Sequence, residues 1–541
     1  MNFLKPAALA ALLLSCFACN NTHQRAKSSN VPPPGLVTDQ AVQDMKMEIH
    51  ENSKPTEQLI TRGDSVVFNT EDYDHIVENK FLAAMQEPLS TFSIDVDEAA
   101  YSNIRRFLQD GSLPPAGAVR IEEMINYFDY EYPQPIGEHP FSVITEIAAC
   151  PWNPQHKLVH IGLQGKEIPI GNLPNSNFVF LVDVSGSMEE PNKLPLVQAS
   201  LNLLVEHLRE KDKVAIVVYA GNAGLVLPST SGSNKAAIKE AIDQLSAGGS
   251  TAGGEGIQLA YKIAAQNFIK DGNNRVILAT DGDFNVGISS DDELVRLIEE
   301  KRKSGIYLSV LGYGTGNNMG NKMQQLADKG NGNHSYIDNI NEARKVLVSE
   351  FGSTLFTIAK DVKIQVEFNA AKVQAYRLIG YENRMMAAED FNDDKKDAGE
   401  LGSGHTVTAL YEVIPVGVKD AFTKSIDSLK YQSNNRTIQG PSNEMMTIKL
   451  RYKQPDGDVS KLMVHPVIDN NIALDNTSDN FRFSAAVASF GMLLRGSDYK
   501  QASSYQQVIS LANSAKGADK NGYRTEFIQL VSGASSLAKV D

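Results

Sequence analysis

The chain has 541 residues, a mass of 59.0 kDa, 42% hydrophobic residues and a net charge of −14. That length exceeds what one hydrophobic core usually serves, so we predict roughly three or four structural units. An acidic chain lacks the clustered Lys and Arg that phosphate backbones and anionic lipid surfaces require, so nucleic acid is not an expected partner.

Residues 1–19 have the pattern of an export signal. Lys5 precedes an apolar run, 7–14, which is too short for a permanent membrane helix. A Cys directly after a small residue resembles the lipobox of bacterial lipoproteins, in which that Cys is lipidated. Cys16 has an aliphatic residue three places before it, and Cys19 is the alternative. We expect a bacterial envelope protein, at the outer membrane, periplasm or surface, that touches the membrane only through its lipid; plain secretion is the other interpretation.

Residues 20–88 are expected to form a flexible tether. The stretch is polar up to about residue 74, includes three consecutive prolines at 32–34, and lacks a sustained apolar period. Such a segment cannot bury enough surface to offset the entropy lost on ordering. Beyond it, Cys150 has no evident partner, and a single thiol in an exported protein is more often a buried small hydrophobe than a reactive group.

An N-terminal region, 89–172, combines helices with strands. Alternation of apolar and polar residues predicts a strand near Thr91–Asp97, with Asp97 as the N-cap of the following helix. The alternative is a metal site at Asp95 and Asp97. A second helix, 119–128, and two strands, 141–149 and 157–164, complete the region. On a strand the spacing of two histidines carries no ligand geometry, so we interpret both as structural: His156 and His160.

A doubly wound, mostly parallel α/β sheet of Rossmann-like type is predicted for residues 173–356. Its strands are continuous apolar runs, as in sheets buried on both faces: 178–182, 213–219, 275–280 and 306–312. Amphipathic helices are predicted between and after these strands: 193–208, 235–245, 256–268, 291–303 and 341–351. The segment 224–228 ends in Pro228 and suits an edge strand.

Residues 357–541 are predicted to form a β-rich region that ends in helices. The alternating segments 361–368, 373–381, 405–415 and 445–452 indicate antiparallel strands. Three amphipathic helices follow and are expected to dock on the sheet: 480–494, 505–515 and 523–537. Because two isolated strands before residue 177 would be marginally stable, we predict that the β-segments on both sides pair, with the doubly wound domain inserted between them.

Oxygen-bearing side chains follow two of the parallel strands and precede one helix. Asp183-Val184-Ser185-Gly186-Ser187 comes directly after the first strand, Thr251 lies in a glycine-rich loop, and Asp281 follows strand 275–280. Ligands bind such sheets at the carboxyl ends of the strands. Carboxylates and hydroxyls select hard cations, Mg²⁺ above all and then Mn²⁺ or Ca²⁺. No His or Cys is present there to favour zinc.

This pattern resembles the metal-ion-dependent adhesion site of von Willebrand factor A (VWA) domains. The resemblance rests on Asp183, Ser185, Ser187, Thr251 and Asp281, in the family's order and on its elements. It implies that the serines and the threonine coordinate directly, that the aspartates coordinate directly or through water, and that a partner's Asp or Glu completes the metal.

Further segments resemble bacterial VWA proteins of the YfbK type. They include residues 92–97, 101–108 and 113–115, the stretch Arg120 to Phe128, and Ala279-Thr280-Asp281-Gly282-Asp283-Phe284-Asn285-Val286-Gly287. The resemblance covers nearly the whole chain beyond the signal. It implies a metal-dependent protein-binding module for adhesion or assembly, without catalysis.

Two other functions are considered. A metal-dependent phosphatase or other hydrolase is one, because Asp-x-Ser at a strand end is similar to phosphatases with an aspartate nucleophile. In those enzymes an acid stands two residues after the nucleophile, and here that position is Ser185, which cannot act as a general acid at neutral pH. The other is an accessory subunit of an ATPase-driven complex, and the export signal argues against it.

Overall fold

The computed structural model describes residue 73 and residues 75–539, except 221, 249–252, 283–290, 316–319, 351–354, 397, 424–442 and 456. The predicted tether up to residue 72, Cys16, Cys19 and Thr251 therefore lie outside the described residues. Residues 75–88, predicted as the end of the tether, instead belong to the folded part: Leu82 and Ala83 pair with Tyr376 and Ala375, and Glu78 contacts Arg495 at 3.5 Å. Those described belong to one compact unit that spans residues 67–541.

Two antiparallel sheets form a sandwich. The first has the order β1-β12-β15-β4-β3, and the second has the order β13-β2-β11-β16-β17, with β14 paired to β11. The strands are β1 Leu82–Ala83, β2 Leu89–Ser93, β3 Phe141–Cys150, β4 Asn153–Gly165, β11 Thr357–Phe368, β12 Val373–Ile379, β13 Met385–Met386, β14 Gly399–Gly402, β15 Thr406–Pro415, β16 Glu444–Lys453 and β17 Lys461–Ile468. Apolar side chains from both sheets fill the space between them, among them Phe92, Ile161, Ile364 and Tyr411.

Strands from before and after the central domain pair in both sheets. β4 runs antiparallel to β15, from Lys157 opposite Val413 to Gln164 opposite Thr406, and β2 pairs with β11. The prediction that the flanking β-segments form one unit, with the doubly wound domain inserted into it, is thereby confirmed. We call residues 176–349 the insert and the remaining described residues the sandwich unit.

The insert contains a six-stranded sheet of order β10-β9-β8-β5-β6-β7. Its strands are β5 Ser176–Asp183, β6 Lys213–Ala220, β7 Asn222–Ser231, β8 Asn273–Thr280, β9 Ile306–Tyr313 and β10 His334–Ile337. All pairs are parallel except that of β6 with β7, which is the antiparallel edge strand. The predicted mostly parallel α/β sheet is confirmed.

Helices cover both faces of the insert and the outer face of the first sandwich sheet. Those of the sandwich unit are α1 Ala99–Gln109, α2 Ile121–Asn126, α9 Asp479–Arg495, α10 Tyr505–Ser514 and α11 Tyr523–Leu537. Those of the insert are α3 Leu194–Glu206, α4 Lys235–Asp243, α5 Gly253–Gln266, α6 Asp291–Lys303, α7 Gly320–Lys329 and α8 Ile340–Arg344, followed by a π-helical turn, Lys345–Ser349. Within the described ranges, no helix is both long and apolar enough to span a bilayer.

Alternation along the central strand explains the two cores of the insert. Phe178 and Phe180 of β5 pack with α3 and α4 on one face, and Val179 and Leu181 pack with α5, α6 and α7 on the other. Consecutive β residues point to opposite faces, so a strand buried on both must be apolar throughout. β5 therefore lies at the centre of the sheet, and packing on both faces fixes the position of its carboxyl end.

The terminal helices dock on the sandwich as predicted. α9 is buried along most of its length and packs through Phe481 and Phe490 in a core that includes Leu158 of β4 and Leu410 of β15. Ser478 caps this helix by accepting a hydrogen bond from the Phe481 amide at 3.1 Å.

Four differences from the sequence prediction stand out. The short strand β10 and helix α7 were not predicted, and the final helix of the insert is shorter and ends in a π-helical turn. Asp97 is not an N-cap, because that position belongs to Glu98. Asp97 instead accepts hydrogen bonds from the His334 amide at 3.1 Å and from Arg384 at 3.1 Å.

Candidate metal centre

Asp183 is the last residue of β5, and its side chain is buried. Its Oδ1 accepts a hydrogen bond from the Ser185 amide at 2.9 Å, and Thr280 Oγ1 lies 3.5 Å from its Oδ2. Since β6 and β8 flank β5 in parallel, the ends of three strands meet around this carboxylate. The site therefore lies at the carboxyl edge of the insert's sheet.

Ser185 and Ser187 stand beside it on a short 3₁₀ turn, Gly186–Glu189. Their hydroxyl oxygens are 3.1 Å apart. Two neighbouring ligands of an octahedral Mg²⁺, each bonded at about 2.1 Å, are separated by about 3 Å. The spacing of the two hydroxyls thus suits a shared Mg²⁺ as well as it suits a hydrogen bond.

Asp281, directly after β8, is buried and faces a lysine. Lys193 Nζ lies 3.1 Å from Asp281 Oδ2 and donates a second hydrogen bond to the Ser187 carbonyl at 2.9 Å. Gly314 makes room for this lysine, because a Cβ there would lie 2.5 Å from Lys193 Cε. A metal would share Asp281 with an ammonium group.

Thr251 lies outside the described residues, so its place in the site stays a prediction. The described part of its loop does reach the site. The Gly248 amide donates to the Val184 carbonyl at 2.7 Å, which holds this loop against the one that carries the two serines.

Burial governs the electrostatics of the site. Burial, with a smaller contribution from the nearby Asp281 charge, raises the pKa of Asp183 to about 6, although hydrogen bonds from Ser185 oppose the shift. Burial and the Asp183 charge also raise the pKa of the Tyr219 phenol well above its usual value. Two carboxylates held close together in a buried environment repel each other, and a divalent cation would relieve that repulsion. The hydroxyls and carboxylates present therefore fit a hard cation.

Sequence reasoning missed Lys193. A signal was available, because a lysine immediately before the first turn of an apolar helix opposes the helix dipole. Its burial at 5% exposure has to be supported by a partner, and Asp281 is that partner.

The other polar residues singled out in the sequence lie elsewhere. Asp95 and Asp97 contact Arg384, each at 3.1 Å. Across the described ranges, no group of three or more His, Cys, Asp or Glu side chains is arranged to hold a metal ion.

Both histidines are structural, as predicted. His156 lies between Glu412 at 2.6 Å and Asp420 at 2.7 Å, and His160 contacts Tyr132 Oη at 2.6 Å. Cys150 is a buried free thiol, and burial raises its pKa well above the usual value.

Three family models match the chain. They are "von Willebrand factor" over residues 67–160, "von Willebrand factor type A domain" over residues 177–348, and "Uncharacterized protein YfbK, C-terminal" over residues 353–537. The second coincides with the insert, and the other two cover most of the sandwich unit.

Individual proteins are also similar to this chain. "Uncharacterized protein YfbK" of Escherichia coli (strain K12) is 45% identical over 482 residues, which are 87% of this chain and 82% of that protein. "Uncharacterized protein sll0103" of Synechocystis sp. is 30% identical over 167 residues, 31% of this chain and 39% of that protein. A solved structure, von Willebrand factor type A from Catenulispora acidiphila, aligns at 15% identity with a TM-score of 0.37, covering 83% of this chain and 90% of that chain.

Proposed function

The chain belongs to the YfbK-type family of VWA-domain proteins, and from that premise we propose a divalent-metal-dependent protein-binding module for adhesion or assembly at the bacterial envelope. A VWA domain indicates an interaction or adhesion module, generally without catalysis. The metal, the partner and the anchor are the further parts of this proposal.

One observation carries the metal assignment. Ser185 and Ser187 hold two hydroxyls 3.1 Å apart beside the buried Asp183 carboxylate, at the sheet edge where Asp281 also lies. Thr251 is proposed as the fifth ligand. The oxygen-only donor set favours Mg²⁺, with Mn²⁺ and Ca²⁺ as the other hard cations that it can take.

The expected partner is a protein that offers Asp or Glu. When bound, the metal supplies positive charge that attracts an anionic ligand. Neutral hydroxyls do not cancel this charge, and Lys193 offsets part of the negative charge of Asp281. A carboxylate is therefore a favoured incoming group. Because the serine ligands are uncharged, they do not repel it.

Anchoring through a lipid on Cys16, or on Cys19, would hold the module at the membrane. We expect mass spectrometry of the mature N-terminus to find a lipidated cysteine, and Cys16→Ser to release the protein from the membrane fraction. Release by Cys19→Ser alone would instead assign the lipid to Cys19, and release by neither would contradict the anchor.

A melting experiment tests the metal site. We expect saturating Mg²⁺ to raise the melting temperature, since a ligand at 100 times its Kd stabilises the folded state by about 2.7 kcal/mol. Ser185→Ala and Asp183→Ala should each remove the shift. Ser200→Ala is the matched control, because Ser200 is a buried serine of the same domain whose partners, the Leu196 carbonyl and Tyr313, are not proposed metal ligands. Equal melting of the wild type with Mg²⁺ and with EDTA would contradict the proposal.

Crosslinking tests the partner. Purified protein is added back to the native envelope with Mg²⁺ or with EDTA, and crosslinked peptides are identified by mass spectrometry. We expect crosslinks from the Ser185 loop to an acidic segment of one partner, which must then bind in purified form with Mg²⁺ only. A partner captured equally by Asp183→Ala would show that the metal site is not the docking point.

A further inference from the structure

A cavity of about 660 Å³ lies between the insert and the sandwich unit. The first residues of two parallel strands form one side, at Asn273 and Gly305, and the start of β11 and the end of β16 form the other, at Thr357 and Gln454. Small-molecule sites are typically cavities of about 300 to 1,000 Å³, and they often lie at domain interfaces.

The cavity is at the opposite edge of the sheet from the metal centre. Arg275 lines it near the start of β8, whereas Thr280 ends the same strand next to Asp183. Five residues of extended strand separate the two, or about 17 Å. The two sites therefore share no side chain, and one can be altered without the other.

Arg275 places a cation in the wall with no anion to pair it. It is 1% exposed, its Nη1 donates to Ser309 Oγ at 2.7 Å, and its guanidinium carbon lies 5.6 Å from the centre of the Tyr307 ring. Its Nε has no acceptor, and no ion pair joins it to a described residue; the Glu400 carboxylate acts on it from a longer distance and raises its pKa. Burial lowers its pKa to about 10, which leaves it charged at neutral pH. A buried and unpaired charge is costly, so an anion beside it would be strongly favoured.

A second buried donor lies in the same wall. Asn273 Nδ2 has no acceptor within the described part of the chain, and the residue is 8% exposed. Two buried donors without acceptors, on one strand and two residues apart, call for a ligand that brings oxygen atoms.

The rim of the cavity is also cationic. Lys166, Lys270 and Lys360 line it, and none forms an ion pair with a residue that the structure describes. Two carboxylates, Glu138 and Asp271, are the acidic groups of the lining. With Arg275, four cations thus stand against two anions, although the chain as a whole carries a net charge of −14.

Apolar side chains form most of the remaining wall. Ile168, Phe356 and Ile358 contribute from the sandwich side, and Phe268 from the insert, where 44% of its surface is exposed. Such a wall binds a hydrocarbon body and gains about 25 cal/mol for each Å² of apolar surface removed from water.

We propose that this cavity binds a small amphipathic carboxylate, with its carboxylate at Arg275 and Asn273 and its apolar body along Phe268 and Ile358. The ligand would bridge the insert and the sandwich unit. This site is additional to the proposed metal-dependent binding, and it does not rely on a metal.

Calorimetric titration of the full chain with decanoate tests the proposal. We expect one saturable site per chain, at least tenfold weaker binding of acetate, which lacks the apolar body, and at least tenfold weaker binding of decanamide, which lacks the charge. The measurements are made in EDTA, so that they are independent of the metal centre.

Variants locate the ligand. Lys166→Glu combined with Lys360→Glu should weaken decanoate binding at least tenfold. The matched control is Lys262→Glu combined with Lys516→Glu, which changes the charge equally at exposed lysines that do not line the cavity and should have little effect. Arg275→Met should abolish decanoate binding, and circular dichroism verifies that this variant folds. If it does not fold, the rim variants still test the proposal.

Three results would overturn the proposal. The first is no saturable decanoate binding, as when a segment of this chain already fills the cavity. The second is equal binding of decanoate and decanamide. The third is an unchanged affinity in the rim variants.

Discussion

The insert and the sandwich unit bury polar side chains in different places. Along β5 of the insert, residues 178–182 are apolar and fully buried, and Asp183 follows at the strand end. Along the sandwich strands, charged groups sit mid-strand under the terminal helices. Glu412 in β15 contacts His156 at 2.6 Å and Arg377 at 3.2 Å.

The contrast teaches where buried charge indicates function. In the sandwich unit each of these charges has its counter-charge, and the arrangement holds elements together. At the edge of the insert two carboxylates, Asp183 and Asp281, lie close together, and Lys193 contacts Asp281 at 3.1 Å. Excess charge of one sign at a strand end is therefore a better sign of a binding site than burial alone.

The largest expected effect is at Arg105, which joins the two regions. Arg105 in α1 of the sandwich unit is 2% exposed and contacts Asp338 at 2.5 Å and Glu342 at 2.7 Å, both in the insert. Arg105→Met would leave two carboxylates buried without their cation, so we expect a loss of about 3–5 kcal/mol in the free energy of unfolding. Urea denaturation measures it.

The matched control is Lys239→Met, which breaks an exposed ion pair with Glu206 within the insert. Solvent screens such pairs, so we expect no measurable change in its urea midpoint. A loss below about 1 kcal/mol for Arg105→Met would mean that the buried carboxylates find other partners.

An intermediate effect is expected at His160 in the sandwich unit. Burial lowers its pKa to about 3 from 6.5, so the folded state keeps it neutral while the unfolded state takes up a proton below pH 6.5. Stability is thus lost as the pH falls, by about 2 kcal/mol between pH 8 and pH 5.

His160→Gln is the comparison for this pH effect. It should be less stable than the wild type at pH 8, because the hydrogen bonds to Tyr132 and Ser484 are disturbed. Its disadvantage should shrink by about 2 kcal/mol at pH 5. A difference between the two proteins that stays constant from pH 8 to pH 5 would refute a neutral buried His160.

The smallest expected effect is at Lys193 in the insert. Lys193→Met removes a cation that repels a metal at Asp281, so we expect Mg²⁺ to bind roughly tenfold more tightly, about 1.4 kcal/mol. Isothermal calorimetry gives the affinity, with Lys262→Met as the control for an exposed lysine. Weaker Mg²⁺ binding in Lys193→Met would instead make the lysine a support of the metal site.

Most of the insert was predictable because its strands are uninterrupted apolar runs of β-branched and aromatic residues. Those runs specify burial on both faces, which only a parallel sheet covered by helices provides. The same logic placed Asp183 and Asp281 at one edge. β10 escaped prediction because its four residues begin with His334 and Ser335, which are buried although they are polar.

Long-range contacts account for the other failures. Asp97 resembled a helix cap by position, yet its partners come from residues 227 to 287 places away, at Gln324, His334 and Arg384. Lys193 likewise finds Asp281 only through the fold. No local pattern encodes such pairs, since they depend on which loops meet.

The junction of the insert with the sandwich unit has a consequence for how the chain folds. The turn before β15 ties both connections together, since the Gly404 amide binds the Lys166 carbonyl at 3.1 Å and the Ser403 amide binds the Phe356 carbonyl at 2.8 Å. β4 pairs with β3 directly before it, but its second partner strand, β15, is made roughly 240 residues later. Closing such a loop costs about 0.6 kcal/mol for each doubling of its length, so an insert that folds first shortens the effective loop and lowers that cost by about 1 kcal/mol. We therefore expect the domain that carries the proposed metal site to act as an internal scaffold during synthesis and the sandwich to close last.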